Sequence, residues 1–200
     1  DALQTIVHRP APPAIQTLLD EKGVSTGQRR LVLITAHRRE NFGEPLANIC
    51  QALAELAHTF KDEIQLVYPV HLNPNVQEPV YRLLGGIENI TLLPPVDYLS
   101  LVHLMKRSRL VLTDSGGIQE EATGLGVPTL VLRRTTERPE GVEAGVLRLV
   151  GTESADIYRA AAHLLTDEAA WNAMAHASNP FGDGKAAGRI VQAVLNFQEH

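Results

Sequence analysis

Six short runs of this chain are apolar on both alternating faces, and a stretch with helical spacing follows nearly every one. The runs are LVLIT (31–35), IQLVYPV (64–70), NITLLPP (89–95), LVLTDS (110–115), PTLVLR (128–133) and VLRLVG (146–151). A strand with one wet face alternates apolar and polar residues. A strand that is apolar throughout must be covered on both sides, as in a parallel sheet sandwiched between helices. The stretches between the runs supply that cover: in 44–60, Leu46, Ile49, Cys50, Leu53, Leu56 and Ala57 repeat at helical spacing. Helical patterns also open the chain (2–8 and 14–21) and fill its last quarter (153–167, 168–178 and 186–197). The pattern predicts a doubly wound α/β domain, a Rossmann-like parallel sheet of about six strands. At 200 residues, 44% of them hydrophobic, one domain over 1–200 is expected, with 1–30 a linker and leading helix and 179–200 a terminal helix.

Several function classes are disfavoured at once. The net charge is −5, no basic block stands out and aromatics are 4%, so neither a nucleic acid nor an anionic membrane is expected as a partner. Cys50 is the lone cysteine and lies on an apolar helical face, which reads as a buried thiol in a reducing, cytoplasmic setting. No run has the length of a membrane span, and a signal peptide is not expected. Asp1 stands where a Met would start a chain, so the expectation is a piece of something longer. Metal-ligand spacings such as HExxH or CxxC do not occur, and no GxGxxG follows the first strand, so neither a metal nor a nicotinamide is expected. The stretch FGDGKA fails the phosphate-loop spacing, because Asn179 stands where the first glycine belongs and Ala186 where Ser or Thr does.

In open parallel sheets, ligands bind beyond the carboxyl ends of the strands, where strand order reverses. Four polar clusters follow strands here: AHRREN (36–41), YPVHLNPN (68–75), TDSGG (113–117) and RRTTERPE (133–140). Their local sign is positive, as an anion site requires. Ser115-Gly116-Gly117 is predicted to open a helix, where unpaired N–H groups and the positive end of the dipole face outward. Glycines admit a diphosphate close to the backbone, and Ser115 brings a hydroxyl. Glu121, one turn in, accepts only, which suits the vicinal hydroxyls of a ribose. Together these residues describe a nucleoside diphosphate. The bland alternative makes Ser115 an N-cap, the glycines a tight turn and the glutamates dipole partners. His37 is a proton carrier or phosphate donor on one reading and a strand-end loop residue on the other. Arg138 is a phosphate clamp, or else an ion-pair partner of Glu137 or Glu140. Arg38 and Arg39 also read as surface charges, and His71, before LNPN, as part of a turn. His103, His163 and His176 fall in helical patterns and are expected to be ordinary surface or half-buried residues.

TAHRREN, YPVHLNPNV, LTDSGGIQEEA, TTERPE with the following AG, and NPFGDGKA stand here in the order they have in the non-hydrolysing UDP-N-acetylglucosamine 2-epimerases. The chain resembles that family from residue 1 to about 197, and specifically its C-terminal half. The resemblance implies a GT-B-like enzyme of two Rossmann-like halves with the UDP-sugar in the cleft between them. It also implies a reaction without redox cofactor: UDP is eliminated from UDP-GlcNAc to leave 2-acetamidoglucal, then re-added to give UDP-ManNAc. By motif, His37 resembles the active-site histidine near the diphosphate. Ser115, Gly116 and Gly117 resemble the phosphate cradle, Glu121 the ribose ligand, and Arg138 the arginine that neutralises departing UDP. Arg38 and His71 match residues used for a second, activating UDP-GlcNAc. The implied partners are UDP, UDP-GlcNAc or UDP-ManNAc and the N-terminal half, with a homodimer for the full-length enzyme.

There are two departures. Val96 and Leu101 stand where some members have Gln and Phe near the uracil. The carboxylates that work at carbon 2 belong to the family's N-terminal half, so these 200 residues are expected to grip UDP without turning it over. Three other readings stay open at this point: the C-terminal half of a GT-B glycosyltransferase, a hydrolysing epimerase, and a non-catalytic module that reuses the fold.

Overall fold

A computed structural model of the chain describes residues 2–197. Its six strands are β1 (Arg30–Thr35), β2 (Ile64–Pro69), β3 (Ile90–Leu93), β4 (Ser108–Thr113), β5 (Thr129–Val131) and β6 (Leu147–Leu149), one for each apolar run. They form one sheet in the order β3-β2-β1-β4-β5-β6, parallel at every pairing. Strand order therefore reverses between β1 and β4, where Thr35 lies opposite Thr113.

The helices are α1 (Ala2–Ile6), α2 (Pro13–Glu21), α3 (Glu44–Thr59), α4 (Pro74–Leu84), α5 (Tyr98–Arg107), α6 (Gly116–Gly124), α7 (Pro139–Glu143), α8 (Ser154–Thr166), α9 (Glu168–Ala175) and α10 (Ala186–Phe197). Their starts follow from local chemistry. Asn73 caps α4 by accepting from the Asn75 N–H at 3.0 Å, Asp97 caps α5 through the Ser100 N–H at 2.9 Å, and Asp167 caps α9 through Ala170. A proline in the first turn of α2, α3, α4 and α7 costs no helical hydrogen bond there.

Strand side chains alternate between two cores. Val32, Ile34, Leu66, Tyr68, Leu110 and Leu112 face the layer of α3, α4 and α8, including Leu53, Val80 and Leu164. Leu31, Leu33, Val67 and Val111 face the other layer, meeting Ile15, Leu19, Val102 and Ile118 from α2, α5 and α6. Each such side chain contributes roughly 1.5–3 kcal/mol by leaving water. This two-sided burial is why the strands read as apolar throughout. Cys50 is fully buried in the first core, and burial pushes its thiol up to about 12, which keeps it unreactive.

Some expectations need correction. The polar loop after β5 contains the short helix α7, and Arg39–Asn41 form a 3-10 turn. His163 and His176 are exposed, but His103 is buried and its Nε2 lies 2.9 Å from the Arg9 carbonyl. A carbonyl only accepts, so His103 donates from Nε2. α10 buries none of its residues: Ile190, Val191, Val194, Leu195 and Phe197 are all exposed, Phe197 at 84%. The predicted terminal helix (179–200) and leading segment (1–30) extend at their ends to residues 1 and 198–200, which lie outside the described residues. No helix among the described residues is long and apolar enough to cross a membrane.

Candidate ligand site at the strand reversal

β1 and β4 end side by side, so the segments that follow them meet. Thr35 and Thr113 join their hydroxyls at 2.7 Å, the Thr113 hydroxyl accepts from the Ser115 N–H at 3.0 Å, and the chain then turns into α6. Ser115 is the N-cap residue, but its side chain makes no capping bond. Neither Gly116 nor Gly117 has a positive φ. A side chain would therefore meet no backbone strain at either glycine. A Cβ on Gly117 would meet nothing within 4 Å, and one on Gly116 would find Arg38 Nη2 at 3.7 Å and Glu137 Oε2 at 4.0 Å. Ser115 is thus the N-cap residue of the bland reading without the side-chain bond, and the turn does not need a positive φ at either glycine. What remains is a helix N-terminus at the end of β4 where Gly116 is buried and Gly117 is exposed.

Around it, the sequence clusters gather as expected in position but not in charge state. His37 and His71 stack, ring centroids 5.2 Å apart and planes within 8°. His71 Nδ1 accepts the Asn73 N–H at 3.1 Å, a bond that uses the Nδ1 lone pair and leaves Nε2 to the cavity side. The turn role expected of His71 is thus present, and its ring also borders the space at the strand reversal. With Ser115, the two rings line a cavity of about 290 Å³ whose other walls include Val96, Leu101 and Ile118. The positions that lack Gln and Phe thus form an apolar slot beside the helix tip.

The positive edge expected from the arginines is largely neutralised within the chain. Arg38 pairs with Glu137 at 3.1 Å, Arg134 with Glu153 at 3.4 Å, and Arg133 is held between Glu40 and Glu137. Arg138 pairs with Glu120 rather than with Glu137 or Glu140 side chains, and its Nη1 donates to the Glu137 carbonyl at 3.0 Å. Among the described residues of these two clusters, Arg39 alone has no carboxylate partner. Glu120 and Glu121 diverge from adjacent positions on α6. Glu121 accepts the Tyr98 hydroxyl at 2.9 Å, and partial burial raises its pKa above the ordinary carboxylate value. Tyr98 is pushed up to about 12 by burial and by the carboxylate it donates to. On the same flank of α6, Glu120 and Glu121 line a second hollow of about 350 Å³ whose far wall is Gly182–Gly184. The FGDGKA stretch thus borders a hollow next to Glu121 and leads into α10.

Two groups in the site were not singled out from the sequence. Asp114 is completely buried, and its Oδ2 accepts the N–H of His37 (2.9 Å), the N–H of Arg38 (2.8 Å) and Asn41 Nδ2 (3.0 Å). It thereby anchors the whole post-β1 segment. Gln119, also buried, accepts the Thr136 hydroxyl at 2.6 Å, and that hydroxyl in turn accepts the Arg138 N–H at 3.0 Å. It ties the post-β5 loop to α6.

An all-parallel sheet with helices on both faces, carrying a helix tip at its reversal point, defines a Rossmann-like α/β domain with a ligand edge. A family profile described as UDP-N-acetylglucosamine 2-epimerase matches residues 2–195. The chain belongs to that family. The UDP-N-acetylglucosamine 2-epimerase of Salmonella typhimurium is 53% identical over 170 residues, which are 85% of this chain and 45% of that protein. Among solved structures, S. aureus MnaA with UDP superposes with a TM-score of 0.85 at 44% identity, covering 91% of this chain and 48% of that one. UDP-GlcNAc 2-epimerase from Neisseria meningitidis bound to UDP-GlcNAc gives 0.81 at 43%, covering 92% and 50%. The chain therefore spans about half the length of the relatives it matches.

Proposed function

We propose that the chain is the UDP-binding half of a non-hydrolysing epimerase that interconverts UDP-GlcNAc and UDP-ManNAc. The observation that carries this is the tip of α6, where Gly117 is open, the Ser115 hydroxyl is not used in capping and His37 stands alongside. The diphosphate takes the amides of Gly116 and Gly117 and the Ser115 hydroxyl, where charge-assisted bonds are strongest. The ribose hydroxyls donate to Glu121, and the uracil enters the apolar slot by Val96 and Leu101. Arg138 exchanges Glu120 for a phosphate oxygen as UDP departs. Preorganised donors of this kind stabilise the charge that develops on a leaving anion. His37 is the residue beside the diphosphate able to carry a proton, and Arg38 and His71 serve a second UDP-GlcNAc that acts as activator.

The rest of the reading concerns the whole enzyme. Relatives about twice this length and the uncovered apolar face of α10 both support a second, N-terminal half that completes the cleft. In that reading the carbon-2 carboxylates come from the second half, the isolated chain binds UDP without turnover, and the full-length enzyme is a cytoplasmic homodimer that supplies UDP-ManNAc for cell-surface polysaccharide. The test is to incubate the full-length protein with UDP-GlcNAc and no acceptor, and to follow the sugar by NMR. UDP-ManNAc is the expected product. Free ManNAc with UDP would make it a hydrolysing enzyme, and an unchanged sugar would favour a glycosyltransferase.

A further inference from the structure

Asp114 presents an unusual imbalance. The side chain is 0% exposed, three N–H donors converge on Oδ2, and Oδ1 has no hydrogen-bond partner among the described residues. A buried carboxylate oxygen left without a donor is costly, so such an atom marks a contact that another state of the molecule makes. A candidate donor stands close by: His37 Nδ1 lies 4.0 Å from Oδ1. The backbone N–H of His37 is already bonded to the other oxygen of the same carboxylate. Only the imidazole has to swing for the two to meet, and with its side chain 41% exposed it has room to do so.

From this geometry we infer that Asp114 is a positioning residue for His37. Oδ1 takes the Nδ1–H, which fixes the tautomer and leaves Nε2 for the ligand cavity, free to accept a proton and hold it against an anion. The deduction deepens the diphosphate reading of this site, on which it rests. The surroundings agree: His71, stacked on the ring, has its Nδ1 engaged by the Asn73 N–H and so does not compete for Asp114. Arg38, next in the chain, has its guanidinium on Glu137. The Asp114 carboxyl group is therefore left as the partner facing His37 Nδ1. A carboxylate that orients an imidazole and stabilises its protonated form is a general device of acid–base sites.

The test uses the 200-residue chain with ¹⁵N-labelled histidine, His37 being assigned by the signal lost in His37→Gln. At a pH where the ring is neutral, His37 is expected as the Nδ1–H tautomer, while His71 shows the opposite one. Exposed His58, which has no hydrogen bond or ion pair among the described residues, supplies the reference for an unconstrained ring. Asp114→Asn, whose amide can donate where Oδ1 accepted, is expected to turn His37 to the Nε2–H form and weaken UDP binding about 10–100-fold. A wild-type His37 in the Nε2–H form, or in the same mixture as His58, overturns the inference. That spectrum decides the matter even if the Asn variant does not fold. UDP titrated against the amide signals of Gly116 and Gly117 tests the underlying site separately. Silent amides with an Nδ1–H His37 refute the diphosphate site and leave the Asp–His pair standing, whereas shifted amides with the wrong tautomer do the reverse.

Discussion

Replacing Gly116 or Gly117 by alanine separates a ligand role for these glycines from a structural one. Both have ordinary negative φ, so neither methyl meets backbone strain. On Gly117 the methyl would find no atom within 4 Å, and on Gly116 its closest neighbours would be Arg38 Nη2 at 3.7 Å and Glu137 Oε2 at 4.0 Å, ordinary contacts. In a helix, glycine to alanine favours folding by up to about 1 kcal/mol. For a chain of this size that is about 2–4 °C in Tm, and calorimetry should show each variant at least as stable as the wild type. Binding should move the other way. The methyl occupies the approach to the amides of the helix tip, and losing one charge-assisted bond to a phosphate costs about 1.5–3 kcal/mol, or roughly 10–100-fold in Kd. Isothermal titration with UDP reads this directly, and Gly117→Ala should lose more because Gly117 is the exposed one of the pair. Variants that melt lower and bind UDP as well as the wild type would refute the reasoning and return the glycines to a turn.

Three further outcomes are expected. Glu121→Gln keeps the side chain's size but removes its charge, so Tyr98 should titrate lower than about 12, visible by ultraviolet difference spectroscopy, and UDP should bind about tenfold or more weakly. Gly141→Ala would put its Cβ 2.5 Å from Leu147 Cδ1 and 2.8 Å from Phe181 Cζ; overpacking of this kind costs about 1–3 kcal/mol, measurable by urea unfolding. Glu137 is held down to about 2, against an ordinary 4.5, first by its hydrogen bond from Arg133. A depressed carboxylate stabilises the fold above its unfolded pKa and loses that contribution as pH falls through the folded one. Glu137→Gln should thus lower stability at neutral pH, by at most about 1 kcal/mol because the side chain is 46% exposed, and the gap to wild type should close as the pH approaches about 2.

The sheet was legible because its strands are short and covered on both faces: Leu31 to Ile34 send alternate side chains into two different cores, and both cores demand apolar residues. The long helices were legible for a related reason, since α3 must turn Leu46, Ile49, Leu53 and Leu56 toward one layer. What escaped was too short to show a period. α7 has five residues and the turn at Arg39–Asn41 has three, and both are set by the site's ion pairs and loop bonds more than by an apolar stripe. His103 was misjudged because its burial depends on the Arg9 carbonyl, 94 residues away, which no local pattern encodes.

The same distinction explains which site residues could be read. Ser115, Gly116 and Gly117 could be singled out because the chemistry proposed for them is local: a helix tip can bind an anion with its own backbone. The arginines gave a partial answer, because a count of cations does not reveal that Glu137 and Glu120 already hold Arg38 and Arg138. Asp114 was invisible for a stronger reason. In a row of letters it is one more polar residue after a strand, indistinguishable from a solvated charge. It becomes a buried anchor only when β1 lies beside β4, so that N–H groups 76 and 77 residues earlier in the chain fall on its Oδ2. One signal was available: the residue directly after a central strand is often still covered by the helix layers, as Ala36, Val70 and Leu132 are here. A carboxylate there must find donors or change its charge. An acidic residue at that position is therefore better read as a question about its partners than as surface charge, and here the partner still to be supplied lies 4.0 Å away, on His37.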